Sequence, residues 1–314
     1  MTAIHLPPSR RMVTPTVALA SALEASGYKG VWVGEVSNLD AVVPAALAAI
    51  GTKSADIGVL LNVYTRGPAT LAMTAATLAD VAPGRMHVVL GAASPLLVQH
   101  WNGIPYQRPL ARLRDSLRFV RLALAGCKVE AEFETFNTDG FTLTEAPATP
   151  PSILLAASGP RSLALAAAEA DGVVLNWMAP ADLARLEVLP ADRSRVSIVL
   201  LVCPSDDRTV VDTLMSPLLA NYLNVPAYAA LQRRLGRGPA LAAMWEAWAL
   251  GDRRRAIAQV PAAVIDELVI WGTPERCQRT LAAIEAETRV RVITTLFLPP
   301  GEAFLEAAAG LATR

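Results

Sequence analysis

Two short stretches of the sequence combine small residues with a hydroxyl group, a pattern typical of phosphate binding. The first follows an apolar run that predicts a strand, and it consists of Gly91, Ala92, Ala93 and Ser94. The second opens a predicted helix, and it consists of Ser158, Gly159, Pro160 and Arg161. Free N–H groups and the helix dipole favour an anion at a helix N-terminus, and an arginine adds positive charge. Each stretch could also be an ordinary strand-to-helix turn with a capping serine, but the pair predicts an anion site.

Three side chains are candidates for proton transfer. His5 lies near the end of the first predicted strand, Glu35 lies at the end of the second, and His100 lies in the loop after the fourth. Imidazole and carboxyl groups are the usual general acids and bases of enzymes. His100 could equally be a solvated or capping residue. We interpret His87, which lies inside a predicted strand, as a packed core residue.

Several common sites are absent from the sequence. There is no G-x-G-x-x-G after a strand, no P-loop, no H-E-x-x-H and no C-x-x-C. The three histidines lack metal-ligand spacing, so no metal site is predicted. The three cysteines are odd in number and far apart, which indicates reduced thiols and a cytoplasmic location.

Composition excludes further classes of protein. Lys+Arg and Asp+Glu both number 28, and this zero formal charge argues against a nucleic-acid partner. The mean hydropathy is positive, at +0.37, but no long uninterrupted apolar stretch predicts a membrane span. The first residues lack the pattern of a signal peptide. We therefore expect a cytoplasmic globular protein with no membrane partner.

Apolar runs and breakers predict eight strands that alternate with helices. The strands cover 3–6, 30–35, 56–61, 86–91, 153–157, 172–176, 196–203 and 291–298. The helices between them cover 15–26 (with Thr14 as N-cap), 40–50, 68–83, 107–125, 160–170, 180–188 and 274–286. Such alternation indicates an α/β fold with a parallel sheet, and eight repeats favour a closed (β/α)8 TIM barrel.

The domain prediction is one barrel over 1–314, with a helical insertion at 208–267 after the seventh strand. In such barrels the active site lies at the carboxyl ends of the strands. Asn62 and Asn176, which follow the third and sixth strands, therefore join the candidate site residues.

Five segments resemble the luciferase-like family, in particular its deazaflavin (coenzyme F420)-dependent oxidoreductases. They cover 27–35, 62–72 with 80–85, 91–105 with 108–115, 157–161 with 170–176, and 272–275. The resemblance implies a barrel with a flavin-like ring over its carboxyl face. It also implies that Gly91–Ser94 hold the ring or the phosphate tail, that Ser158–Arg161 hold the phosphate, and that Asn62 and Asn176 line the strand ends. Family members often have a non-proline cis peptide, which would fall near Val59–Leu60.

Two departures affect the usual proton-transfer positions. Many family members carry a histidine just after Glu35, where this chain has Val36. Many also have an acid at the end of the first strand, where this chain has Pro7, Pro8 and Ser9.

The resemblance implies hydride transfer between F420 and an unidentified small organic substrate. One alternative is an FMN-dependent luciferase-like monooxygenase, and another is a non-catalytic cofactor-binding protein. Assembly as a homodimer is left open.

Overall fold

A computed structural model describes residues 2–35 and 37–312 of the chain. The described residues form nine strands and twelve α-helices. The strands are β1 (Ala3–His5), β2 (Gly30–Gly34), β3 (Asp56–Asn62), β4 (Met86–Gly91), β5 (Ser152–Ala156), β6 (Gly172–Leu175), β7 (Val196–Cys203), β8 (Val269–Trp271) and β9 (Arg291–Leu296). The helices are α1 (Thr16–Ala25), α2 (Val42–Gly51), α3 (Pro68–Val81), α4 (Pro109–Leu124), α5 (Pro160–Glu169), α6 (Arg208–Leu223), α7 (Pro226–Arg234), α8 (Gly238–Ala249), α9 (Arg253–Ala258), α10 (Ala262–Leu268), α11 (Pro274–Thr288) and α12 (Phe304–Leu311).

The chain divides into two compact units, and the first consists of Ala3–Ala157 and Arg161–Val174. Its strands pair in parallel in chain order, from β1 to β6. One face of the sheet carries β-branched and leucine side chains that are completely or almost completely buried, because helices cover it: α2 contacts β2 and β3, and α3 and α4 contact β4. The other face carries several glycines and polar side chains.

The second unit consists mainly of the chain from Leu175 onward and includes Ser158–Pro160. In it β7 lies between β8 and β9, and all three are parallel. Helices α6 to α10 bury their own apolar cluster, with Met215, Leu219 and Met244 fully inaccessible. The sequence did not predict β8. This strand is only three residues long, it directly follows α10, and its register is set by the distant residues Leu201–Cys203.

The predicted start of the first helix is wrong. The helix begins at Thr16 rather than at residue 15, and Thr14 does not cap it. Instead the Thr16 hydroxyl donates a hydrogen bond to the Met12 carbonyl, 2.6 Å away. A short 3-10 turn at Arg10–Met12 makes that carbonyl available, and this turn was not apparent from the helix-capping pattern.

A carboxylate ties the end of α1 to the entry of β3. Glu24 accepts hydrogen bonds from the backbone N–H groups of Lys53, Ser54 and Ala55 and from the Ser54 hydroxyl, at 2.7–2.9 Å. Partial burial opposes ionisation of Glu24, but these four hydrogen bonds outweigh it and lower its pKa from 4.5 to about 2.

This shift makes the stability of the chain depend on pH. Because the pKa of Glu24 is depressed in the folded state, its contribution is present above pH 4.5 and is lost as the pH falls towards 2. We expect Glu24→Gln to lower the free energy of unfolding by about 1–2 kcal/mol at pH 7, allowing for solvent screening, and by less at pH 4. Urea unfolding at both values checks this. Exposed Glu187→Gln is the control, and an equal loss at both pH values would contradict the assignment.

Candidate active site at the strand ends

The second face of the sheet in the first unit carries two buried glycines, a leucine and an alanine near the carboxyl ends of the strands. We call Gly34, Leu60, Gly91 and Ala156 the glycine floor. A Cβ atom built on Gly91 would lie 3.4 Å from Leu60 Cδ1 and 3.7 Å from Ala156 Cβ. A Cβ atom on Gly34 would lie 3.1 Å from His5 Nε2 and 3.7 Å from Leu60 Cδ2, so the His5 ring takes up much of the space beside this glycine. Gly91 therefore leaves room beside Leu60 that a side chain would fill.

Asn62 ends β3 beside this floor and has an unused donor. Its side chain is buried, and its Oδ1 accepts the N–H of Tyr64 at 2.9 Å. Its Nδ2 has no hydrogen-bond partner among the described residues, although it is inaccessible to solvent. A buried amide donor without a partner is costly unless a ligand or an ordered water accepts its hydrogen bond.

Glu35 forms a charged cluster with Arg66, which follows the third strand but was not among the predicted site residues. Glu35 Oε1 accepts hydrogen bonds from Arg66 Nη2 at 2.7 Å and Nε at 3.2 Å, while Oε2 accepts the backbone N–H of Asn62 at 3.1 Å. Arg66 also pairs with Asp40. Both Glu35 oxygens are thus engaged, and the cluster fixes the ends of β2 and β3 relative to each other. The only available signal for Arg66 was its place just after a strand.

His5 lies at the edge of the glycine floor. Its Nδ1 donates to the Leu6 carbonyl at 3.0 Å, which leaves Nε2 as the free nitrogen. A Cβ atom on Gly34 would lie 3.1 Å from that nitrogen. Burial lowers the pKa of His5, although its backbone hydrogen bond acts in the opposite direction. The imidazole is therefore neutral at pH 7, with Nε2 able to accept a proton.

The loop after β4 adopts an unusual backbone conformation. Ala93 has φ of +53°, a left-handed value that is uncommon outside glycine. The Tyr106 hydroxyl donates to the Ala93 carbonyl at 3.3 Å, and the Ser94 hydroxyl accepts the Leu97 N–H at 3.4 Å. His100 follows in a π-helical turn and is exposed, and its side chain makes no hydrogen bond or ion pair with another described residue. His100 thus makes no hydrogen bond or ion pair with His5 or Glu35.

The cis peptide implied near Val59–Leu60 is absent. No peptide bond in the described residues is cis. Val59 and Leu60 pair in unbroken parallel register with β2 on one side and β4 on the other, without a bulge. Val36, the residue that departs from the family pattern, lies outside the described residues.

The second predicted stretch lies where β5 leads into α5. Ser158 and Gly159 are half-buried, and Pro160 begins the ten-residue helix. Arg161 is exposed, and its side chain makes no hydrogen bond or ion pair with another described residue. The Ser158 carbonyl accepts a hydrogen bond from Arg234 of α7.

Asn176 lies just beyond β6. Its Oδ1 accepts the N–H of Trp177 at 2.8 Å, and Trp177 itself has φ of +59°.

Among the described residues, no group of three or more His, Cys, Asp or Glu side chains could hold a metal ion. None of the described helices is both long enough and apolar enough to span a membrane.

Comparison with known proteins gives a family for this chain. The family model of the luciferase-like monooxygenases matches residues 6–291. A Mycobacterium tuberculosis protein named as a candidate coenzyme F420-dependent oxidoreductase is 26% identical over 309 residues, covering 88% of this chain and 89% of the relative. The F420-dependent glucose-6-phosphate dehydrogenase of Nakamurella multipartita is 31% identical over 128 residues, covering 38% of this chain and 36% of that protein.

Solved structures agree on the fold. The coenzyme F420-dependent tetrahydromethanopterin reductase of Methanopyrus kandleri superimposes with a TM-score of 0.77 at 20% identity, covering 99% of this chain and 96% of that one. An F420-dependent secondary alcohol dehydrogenase superimposes with a TM-score of 0.75 at 15% identity, with the same coverage. The prediction of a (β/α)8 barrel is thereby confirmed. The chain is an enzyme of the luciferase-like monooxygenase family.

Proposed function

We propose that this enzyme transfers a hydride between coenzyme F420 and a small organic substrate. The observation that carries the proposal is the glycine floor with the unpartnered Nδ2 of Asn62 beside it. A planar ring needs close approach to the backbone and a donor for a ring carbonyl; Gly91 carries no side chain beside Leu60, and Asn62 Nδ2 is a donor without a partner among the described residues. The relatives named for F420 support the choice of this cofactor over FMN.

The residues of the candidate site would have different roles in binding the cofactor. Gly91 would admit the ring, Gly34 would make room for the His5 imidazole beside it, and Asn62 would donate a hydrogen bond to the ring. The loop Gly91–Ser94, with Ala92 and Ala93, would border the same ring, and Asn176 would line the end of β6. Bound F420 supplies or accepts the hydride, so the protein contributes orientation and proton transfer.

His5 is our proposed proton-transfer residue. Its Nε2 adjoins the glycine floor, and its neutral imidazole can take the proton that a substrate loses with its hydride, or return it in the reverse direction. We propose a different role for Glu35: both of its oxygens are held by Arg66 and Asn62, so it positions the end of β3. His100 is the less favoured candidate because it is exposed and its side chain makes no hydrogen bond with these groups.

The phosphate of the cofactor would bind at Ser158, Gly159, Pro160 and Arg161. These residues form the start of α5, where the helix dipole favours an anion and where the Arg161 guanidinium is uncommitted. We expect Arg161→Ala to raise the Kd for F420 about tenfold, which is about 1.4 kcal/mol. Fluorescence titration measures this. Exposed Arg279→Ala should bind normally, and an unchanged Kd in Arg161→Ala would contradict the assignment.

The experiment that tests the function is a pair of titrations of the purified protein with F420 and with FMN, each followed by fluorescence. The proposal predicts saturable binding of F420 and weak binding of FMN. Tight FMN binding, with oxygen consumed in the presence of reduced flavin, would replace it with a monooxygenase function. Binding of neither cofactor would favour a non-catalytic protein.

A further inference from the structure

A tryptophan lies in a strained backbone conformation just after β6. Trp177 has φ of +59°, in the left-handed region that favours glycine or asparagine, and a bulky residue there is uncommon. Its ring is buried and stacks on Tyr222 of α6, with centroids 4.3 Å apart and planes inclined by 20°. Such strain persists only where the surrounding structure imposes it.

One glutamine of α7 supplies that constraint. Gln232 is completely buried, and its Nε2 donates to the Trp177 carbonyl at 2.6 Å, across 55 positions of sequence. Its Oε1 accepts a hydrogen bond from Arg237 Nη1 at 3.2 Å. Both ends of the buried amide are thus satisfied, and the side chain is held in one orientation.

Arg237 extends the network to the same loop. It is 5% exposed, and its Nη2 contacts Asp182 Oδ2 at 2.8 Å. That same Asp182 oxygen accepts the backbone N–H of Ala179, two residues after Trp177. The buried charges therefore fix the loop at a second point. Removing any one of these side chains would leave a buried polar group unpaired. Because that is costly, the arrangement in which all of them are paired is strongly favoured.

The same helix reaches the loop after β5. Arg234, two residues beyond Gln232, donates to the Ser158 carbonyl. A single helix of nine residues thus holds the backbone of both Ser158 and Trp177. These two residues belong to the loops that carry the proposed phosphate site and Asn176.

We infer that α7 sets the conformation of these two loops through Gln232 and Arg234, which are positioning residues for ligand binding. The inference rests on the proposed function for its ligand, since F420 is the molecule that the loops would hold. In this arrangement α7 acts on the cofactor site by holding the backbone carbonyls of Trp177 and Ser158. None of its side chains would need to contact the cofactor.

Hydrogen exchange on the full chain without cofactor tests the first half of the inference. Gln232→Glu keeps the acceptor for Arg237 but has no N–H for the Trp177 carbonyl, and Gln232→Met removes both. We expect amides in peptides covering 175–180 to exchange at least tenfold faster in both variants. Gln278→Met is the matched control, because Gln278 Nε2 makes an equivalent bond to the Ala312 carbonyl at 2.7 Å. Arg234→Gln should accelerate exchange over 156–160.

Titration with F420 tests the second half. We expect Gln232→Glu to raise the Kd at least tenfold and the control to leave it unchanged, at similar thermal stability of the two variants. Unchanged exchange over 175–180 in Gln232→Glu would overturn the inference. Faster exchange with an unchanged Kd would overturn the positioning role. If the wild-type protein binds no F420, the proposed function fails. The hydrogen-exchange result alone then decides whether α7 fixes the conformation of the loops after β5 and β6.

Discussion

Replacing Gly58 with alanine is expected to destabilise the fold by about 3 kcal/mol, because a Cβ atom has no space there. That atom would lie 2.1 Å from Trp32 Cδ2 and 2.2 Å from Trp32 Cε3. Trp32, Gly58 and His87 are lateral neighbours on β2, β3 and β4. The Trp32 and His87 rings are nearly parallel, inclined by 8° with centroids 6.1 Å apart, on either side of the glycine.

Urea unfolding of the purified variant measures this loss. Gly310→Ala is the control, because a Cβ atom at Gly310 in α12 meets nothing within 4 Å. Alanine is also the better helix former, so that variant should be as stable as the wild type or slightly more stable. A Gly58→Ala protein with wild-type stability would mean that the Trp32 ring moves aside at little cost, and it would contradict the packing described for β3.

Replacing Gly91 with valine is expected to abolish tight F420 binding, with a loss of at least a hundredfold, or about 2.7 kcal/mol. The first added atom would make only ordinary contacts, 3.4 Å from Leu60 Cδ1 and 3.7 Å from Ala156 Cβ. The fold should therefore accept a small side chain at this position. The branched side chain would stand on the glycine floor and occupy the space that we propose for the ring.

A graded series separates exclusion of the ligand from misfolding. Gly91→Ala should weaken binding less than Gly91→Val does, and both should keep a cooperative unfolding transition. Gly67→Val is the control, because a Cβ atom at Gly67 in the loop after β3 meets nothing within 4 Å. Fluorescence titration with F420 gives the Kd of each variant. A wild-type Kd in Gly91→Val would place the ring elsewhere.

The local pattern of the chain was enough to predict most of its elements. Strands such as β7 are continuous apolar runs, and helices such as α3 begin at a proline and end before a glycine, so their signals lie within a few residues. The prediction failed where distant partners decide the structure. The three residues of β8 become a strand because β7 is available to pair with them.

In the candidate site, too, some features were predictable from local sequence and others depend on residues that are distant in the chain. The sequence by itself indicated which loops would carry function, because Gly91–Ser94 and Ser158–Arg161 have a composition that suits an anion and a close backbone approach. It also identified His5 and Glu35 from their places after strands. It could not assign different roles to them, since the partners of Glu35 at Arg66 and Asn62 lie 31 and 27 positions away.

The sequence alone therefore determined the alternation of strands and helices, the (β/α)8 fold class and the loops where chemistry would lie. Each of these depends on hydrophobic patterns and turn residues that are local in the chain. Only the tertiary structure decided that Gly34 and Gly91 form one floor, that Asn62 keeps a buried donor without a partner, and that Gln232 holds Trp177. Those facts depend on which side chains meet across strands and helices, and on how burial makes an unpaired polar group costly.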